Sequence, residues 1–261
     1  MTAFADLHHT EHPLLLPNAW DHASATALAA QGFHAIGTTS LGVAAAVGQP
    51  DGASATRDET LRLARALGAG PFLLSVDAEG GFSEDPDEVG EFARELSAVG
   101  AVGINLEDGV GPVERHMAKI AAVKSAAPDL FVNARTDTYW SGDRSRGESV
   151  SETLRRLDAC QQAGADGVFV PGLTDPGTIA ILVRHVHVPL NILYSPTGPT
   201  LSHLADLGVH RVSLGSLLYR RALGAALETV ADIRAGRTPT GPAPSYDEVA
   251  RRGRARVAGR G

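Results

Sequence analysis

Short apolar runs alternate with longer amphipathic stretches along most of the chain. Eight runs can be marked: Leu14–Leu16, Ala35–Thr38, Phe72–Val76, Val102–Leu106, Leu130–Ala134, Gly167–Pro171, Pro189–Leu193 and Arg211–Gly215. Their starts are spaced by about 28 residues on average, the length of one strand-plus-helix unit in a (β/α)8 barrel. The runs are nearly continuous in hydrophobic residues, as parallel strands buried on both faces should be. Helix signals fall between them. Asp21 is an N-cap for His22–Ala30, which Gly32 ends. Asp85-Pro86 opens Asp87–Ala98, with Gly100 after it, and Ser149–Ala163 begins with Ser151 and Glu152 and stops at Gly164. Strands alternating with helices imply βαβ units and a parallel sheet. A doubly wound open sheet is the competing architecture, but no GxGxxG follows the first strand and eight units close a barrel more readily. The expected fold is a single-domain α/β (β/α)8 TIM barrel over residues 1–236. A Pro/Arg-rich tail follows over 237–261, with Pro239, Pro242, Pro244 and then Arg251, Arg252, Arg254, Arg256 and Arg260. It reads as a solvated, loosely ordered terminus, or alternatively as a segment that docks on a neighbouring subunit.

Composition narrows the partners. Across 261 residues, 23 Lys+Arg stand against 30 Asp+Glu, and this net charge of −7 is spread out, which argues against nucleic acid or an anionic membrane as partner. Cys160 is the only cysteine, so no intrachain disulfide can form, and this suits a reducing cytoplasm. No apolar run approaches the ~18 residues of a membrane span. Met1 to His12 lack the basic start and apolar core of a signal peptide. The expected location is cytoplasmic.

In such a barrel, chemistry sits where strands end. The second run exits into Thr38-Thr39-Ser40-Leu41-Gly42 and the third into Ser75-Val76-Asp77-Ala78-Glu79-Gly80-Gly81. The fourth exits into Asn105-Leu106-Glu107-Asp108 and the fifth into Asn133-Ala134-Arg135-Thr136-Asp137, while the seventh carries Asn191. Asp77 and Glu79, two apart on an extended segment, are expected to face the same way, with Glu107 level with them on the next strand. Carboxylates crowded in this way cannot all ionise without compensation. Either one is protonated or a cation binds, and all-oxygen donors favour Mg²⁺ or Mn²⁺ with some waters retained. The blander alternative is that they cap the following helices or pair with Arg135.

Five motifs in order resemble the isocitrate lyase/phosphoenolpyruvate mutase superfamily. They are Pro17-Asn18-Ala19-Trp20-Asp21; Thr39-Ser40-Leu41-Gly42 leading to Gly48-Gln49-Pro50-Asp51-Gly52; Asp77-Ala78-Glu79-Gly80-Gly81-Phe82; Gly103-Ile104-Asn105-Leu106-Glu107-Asp108; and Asn133-Ala134-Arg135-Thr136-Asp137. The similarity runs from about Leu14 to Arg234. The resemblance implies a Mg²⁺ ion (Mn²⁺ as substitute) held by Asp77, Glu79 and Glu107, partly through water, with Asp51 beside it. It implies a 2-oxo acid gripped by main-chain groups at Thr39, Ser40 and Leu41 and by Arg135, and Asn191 is added to that substrate-facing set. Asp51, Arg135 and Glu107 are the expected catalytic residues. The family also implies a homo-oligomer, tetramer or dimer, with the last helix, within Ser216–Gly236, exchanged between subunits.

Two departures bear on activity. The lyases of the family carry a Lys-Lys-Cys-Gly segment after the fourth strand, where this chain reads Gly109-Val110-Gly111-Pro112-Val113-Glu114-Arg115-His116. The phosphonate enzymes carry a lysine and an asparagine on that loop and a histidine at the sixth strand end, where Pro171 stands here. The expected function is Mg²⁺-dependent cleavage or decarboxylation of a C–C bond in a small 2-oxo (or 2-hydroxy) carboxylic acid, through an enolate-like intermediate. Phosphonate C–P mutase or hydrolase chemistry and a non-catalytic 2-oxo acid binding barrel are the alternatives. Among the other candidates, Cys160 reads as a small buried hydrophobe, and His8, His9 and His12 as part of a loose N-terminus. His116 reads as an exposed helical histidine. Trp140, before the charged stretch Asp143–Glu148, is a lid or rim residue, and Gly215-Ser216 is a weak anion site.

Overall fold

The computed structural model describes residues 2–140 and 150–254. Among these, nine parallel strands form one sheet, ordered β1-β9-β8-β7-β6-β5-β4-β3-β2. The strands are β1 (Leu14–Leu16), β2 (Asn18–Ala19), β3 (Ala35–Thr38), β4 (Leu73–Asp77), β5 (Ala101–Glu107), β6 (Phe131–Arg135), β7 (Gly167–Val170), β8 (Leu190–Leu193) and β9 (Arg211–Ser213). The ninth strand is β2, which lies just beyond the first apolar run, on the far side of Pro17, a residue with no N–H to give to a ladder. Upstream of it β1 pairs with β9, and downstream β2 pairs with β3. The Pro17 carbonyl still accepts from Gly37 N at 2.8 Å, so one continuous segment closes the barrel and the open-sheet alternative falls.

Side chains alternate along each strand. Leu74, Val76, Ile104, Leu106, Val132, Val168, Val170 and Ile192 belong to a continuous apolar core, in which the sheet packs with helices including α4 (Arg57–Leu67), α5 (Pro86–Ala98), α6 (Val113–Ala126), α7 (Val150–Gln162) and α8 (Pro176–His185). Full burial of such side chains is worth about 1.5–3 kcal/mol each. The alternate positions face the barrel axis and are largely polar: Asp77, Asn105, Glu107, Asn133, Arg135, Asn191, Arg211 and Ser213. Helix signals hold where they were read. Asp21 Oδ1 accepts from Ser24 N at 2.7 Å at the start of α2 (His22–Ala30), and Asp85 Oδ1 accepts from Asp87 N at 2.9 Å at the start of α5.

Three segments differ from expectation. The N-terminus is not loose. Residues Ala3–Asp6 form α1 and Leu7–His9 a 3-10 turn, and Phe4 and His8 are buried beneath the barrel against Phe131. Phe4 fits because position 103 is glycine; a Cβ there would lie 2.8 Å from the Phe4 ring. Ser40–Ala46 form a short helix, α3, where only a strand exit was read, followed through α9 (Leu201–Asp206) by the long α10 (Leu217–Arg234). The tail is not wholly irregular either, since Tyr246–Arg254 form α11, in contact with α2.

No residue of α10 is buried, and Leu223, Leu227, Val230 and Ile233 stand exposed along it. No helix among the described residues is long and apolar enough to cross a membrane.

Candidate active site

A cavity of about 410 Å³ opens at the C-terminal ends of the strands. It is lined by Thr39, Ser40, Leu41, Asp51, Asp77, Glu107 and Arg135, so the structure gathers seven of the residues marked in the sequence. Asn18, Asn105, Asp137, Trp140, Phe169, Pro171 and Arg220 also line it.

Asp77 ends β4 and is held by its neighbours. Its N–H donates to Thr38 Oγ1 at 2.9 Å, and its Oδ2 accepts from Ser40 N at 3.1 Å. Thus the turn from β3 into α3 is fastened to the acid beside it. Glu107 and Arg135 are register partners on β5 and β6. Arg135 Nη1 lies 2.7 Å from Glu107 Oε2, and its Nε donates to Asp137 Oδ1 at 2.6 Å. The pairing foreseen as the blander alternative is therefore present. Nη2 has no protein acceptor among the described residues.

The charges show what the site lacks. Burial pushes Glu107 up to about 8, Arg135 opposes this, and Asp137, Asp77 and Glu79 add to it. Asp51 is raised by burial and by repulsion from Asp77, against a stabilising hydrogen bond from Ser40. Asp137 is raised by burial despite Arg135. Burial works against the charge on Arg135, but Glu107, Asp137 and Asp77 outweigh it and hold its pKa above the ordinary value. The cavity has four carboxylates, Asp51, Asp77, Glu107 and Asp137, and two guanidiniums, Arg135 and Arg220. Such a surplus of hard oxygen donors fits a divalent cation of the Mg²⁺ type. Among the described residues no three acidic, His or Cys groups are close enough to form a ready-made cage. The donor set therefore fits an ion that keeps much of its water.

Glu79 does not face the cavity with Asp77. The strand ends at Asp77, and Glu79 adopts a left-handed φ of 47°, which breaks the alternation assumed for an extended segment. Its carboxylate is buried and accepts from Ser54 N and Thr56 Oγ1, both at 3.0 Å, so it ties down the loop that carries Asp51. Burial raises its pKa, those hydrogen bonds oppose the rise, and the charges of Asp51 and Asp77 add to it. Asn191 is buried below the cavity, where its Nδ2 donates to Ser213 Oγ at 2.9 Å.

His116 is buried, not exposed. Neither ring nitrogen has a hydrogen-bond partner among the described residues, and burial holds its pKa at about 4. It lies on α6 near Asp108, whose Oδ2 pairs with Arg156 Nη1 at 2.9 Å and whose Oδ1 accepts from Asp137 N at 3.0 Å. Asp108 is thus a strut behind the site. Cys160 is buried with its thiol pushed up to about 12, which removes it from nucleophilic or acid–base work. Gly215 N–H is taken by Asn18 Oδ1 at 2.8 Å, so that turn has one donor fewer to offer an anion. Trp140 is 53% exposed at the cavity rim, with the Arg135 guanidinium 5.4 Å from its ring centre. Asp143–Glu148 lie outside the described residues.

Asp137, Asn105, Asn18 and Arg220 are among the lining residues to which the sequence motifs assigned no role. Asp137 could have been found from its spacing, two residues beyond Arg135. The asparagines carry no charge pattern to mark them.

A (β/α)8 barrel with an acid-rich, arginine-anchored pocket at its strand ends has the architecture of the barrel enzymes. The chain belongs to the phosphoenolpyruvate phosphomutase family, whose model matches residues 4–234, within the isocitrate lyase/phosphoenolpyruvate mutase superfamily of lyases and mutases. An uncharacterized protein of Mycobacterium tuberculosis is 44% identical over 239 residues, 90% of each chain. A candidate lyase/mutase of Burkholderia cenocepacia shares the fold with a TM-score of 0.85 and 36% identity, covering 95% of this chain and 93% of that one. A phosphonopyruvate hydrolase in complex with oxalate and Mg²⁺ superposes with a TM-score of 0.83 at 25% identity, covering 98% and 96%.

Proposed function

We propose that the chain is a Mg²⁺-dependent enzyme that cleaves or decarboxylates a C–C bond in a small 2-oxo (or 2-hydroxy) carboxylic acid, as a cytoplasmic homo-oligomer. The observation that carries this reading is the convergence of Asp51, Asp77, Glu107 and Arg135 with the Thr39–Leu41 turn on one cavity. Asp77 would hold the ion directly, and Asp51 and Glu107 would hold it through water. When bound, the ion supplies Lewis-acid polarisation and neutralises negative charge developing on the 2-oxo group. Arg135 is fixed by two carboxylates and turns its remaining N–H groups to the ligand's carboxylate, a fork that a lysine cannot reproduce. In the Thr39–Leu41 turn the Thr39 and Ser40 N–H groups are taken by Ala19 O and Asp77 Oδ2, so the Leu41 N–H and the Thr39 and Ser40 hydroxyls are the neutral donors it would offer beside it. Trp140 and Phe169 form an apolar wall that limits water around the reacting carbons.

C–P chemistry is the second reading. The likeness to a phosphonopyruvate hydrolase favours it, and Pro171 in the cavity wall, which has no proton to give or take, weighs against it.

The test is a calorimetric series with oxalate, pyruvate, oxaloacetate and 2-oxoglutarate against lactate and succinate, with and without Mg²⁺. It is paired with turnover of oxaloacetate, 2-methylisocitrate and phosphonopyruvate. Planar oxo acids should bind only with the ion, and Asp77→Asn should weaken Mg²⁺ binding at least tenfold. Equal binding of lactate and pyruvate, or binding indifferent to Mg²⁺, would remove the basis for this function.

A further inference from the structure

The floor of the cavity contains a buried cation that the reading above does not use. Arg211 points up the barrel axis from β9, fully buried, and forms no ion pair among the described residues. Its Nε donates to Ser213 Oγ at 3.1 Å, its Nη2 donates to Asn105 Oδ1 at 3.2 Å, and its Nη1 has no partner among the described residues. Burial lowers its pKa to about 9, so it is still charged at neutral pH.

Asn105 Oδ1 also accepts from Asn133 Nδ2 at 2.8 Å. Two donors fill both lone pairs of that oxygen. A guanidinium can only donate, so the amide of Asn105 is held in one orientation, with its oxygen toward Arg211. Its two Nδ2 hydrogens are left over. Asn105 lines the cavity beside its register partner Asp77, and no protein acceptor takes those hydrogens among the described residues.

We propose that Asn105 is a substrate-binding residue whose Nδ2 donates to an anionic oxygen of the ligand at the cavity floor, with Arg211 and Asn133 as the positioning residues that aim it. This rests on the 2-oxo acid reading. The ligand class is an oxyanion of a planar 2-oxo acid or its enolate. The reason is electrostatic as well as geometric, because the charge of Arg211, which has no ion-pair partner among the described residues and is only partly offset by Asp77, polarises the amide and favours negative charge above it. A purely structural layer would need Asn105 only as an acceptor for Arg211.

Asn105→Asp separates the two roles. It keeps the shape and gives Arg211 a carboxylate, so thermal stability should be kept or rise. It also removes both donors and sets a negative oxygen toward the ligand. At saturating Mg²⁺, oxalate affinity measured by calorimetry should fall at least tenfold. Arg211→Met, which frees the Asn105 amide, should weaken oxalate binding about threefold or more, and Arg211→Lys should restore part of it. Oxalate affinity within twofold of wild type in Asn105→Asp, at unchanged Tm, overturns the proposal while leaving the 2-oxo acid reading intact. If Asn105→Asp does not fold, unchanged affinity in Arg211→Met overturns it instead. A wild-type protein that binds no oxalate with Mg²⁺ overturns both.

Discussion

Replacing Arg135 by lysine tests whether this side chain grips a ligand or merely braces the barrel rim. Arg135 is 12% exposed and makes two short contacts, 2.7 Å to Glu107 and 2.6 Å to Asp137. A guanidinium can serve two carboxylates and still present a third edge, whereas an ammonium on a flexible stem is a single point of charge. In Arg135→Lys the charge remains, so neither acid faces an empty pocket, but one of the two contacts is lost. A hydrogen bond to a charged group is worth about 1.5–3 kcal/mol. Stability should therefore fall by about that amount, or roughly 3–12 °C in Tm at ~2–4 °C per kcal/mol for a chain of this size. The ligand should lose a contact of the same kind, so oxalate affinity at saturating Mg²⁺ should fall roughly 10- to 150-fold. Thermal unfolding and titration calorimetry on one preparation read both numbers. A lower Tm with oxalate affinity within threefold of wild type would mean that Arg135 is only a brace, and the fork assigned to the substrate carboxylate would be refuted.

Two other consequences can be measured without substrate. Burial holds His8 at about 3 when folded, against 6.5 when unfolded, so below pH 6.5 the unfolded chain takes up a proton that the folded chain refuses. His8→Gln removes this penalty; its stability relative to wild type should improve by up to about 2 kcal/mol between pH 7 and pH 5, and a constant difference across that range would contradict the buried, uncharged His8. The apolar face of α10 should be covered by another copy of the chain, so Leu227→Glu, at a side chain 65% exposed, should lower the sedimentation coefficient at micromolar concentration. A wild-type monomer under those conditions would end the exchange expectation.

The barrel was legible because its strands are uniformly apolar and its helices announce their starts. All eight apolar runs each coincide with one strand to within about two residues at either end. The ninth strand, Asn18–Ala19, was not legible, because two residues past a proline carry no apolar run and pair only once the barrel closes. The acids at the strand ends were legible because alternation puts Asp77 and Glu107 on the axis. The same rule failed at Glu79, since a left-handed residue just past a strand reverses the side-chain direction and nothing local marks it. His116 was misread although its helix carries the signal: Ile120 and Val123, four and seven residues on, are buried on the same face. Phe4 and His8 have the same i, i+4 spacing in a segment too short to draw attention. The floor of the pocket was the least legible part, because neutral asparagines gain their chemistry only from the neighbours that closure of the barrel gives them.

Because a buried layer of Arg211, Asn105 and Asn133 underlies the cavity, with Phe4 and His8 packed lower still, the described residues leave the pocket to be entered from the strand ends. Traffic through such a vessel is last in, first out. What seats deepest, between Asp77 and Asn105, has to arrive before the opening is blocked and can leave only after whatever lies above it has gone. In a reaction that yields two fragments, the closed floor therefore fixes the order of departure: the outer fragment leaves first, and the inner one holds the site until it follows. A layer of asparagines and one arginine would then decide which product competes with the next molecule of substrate.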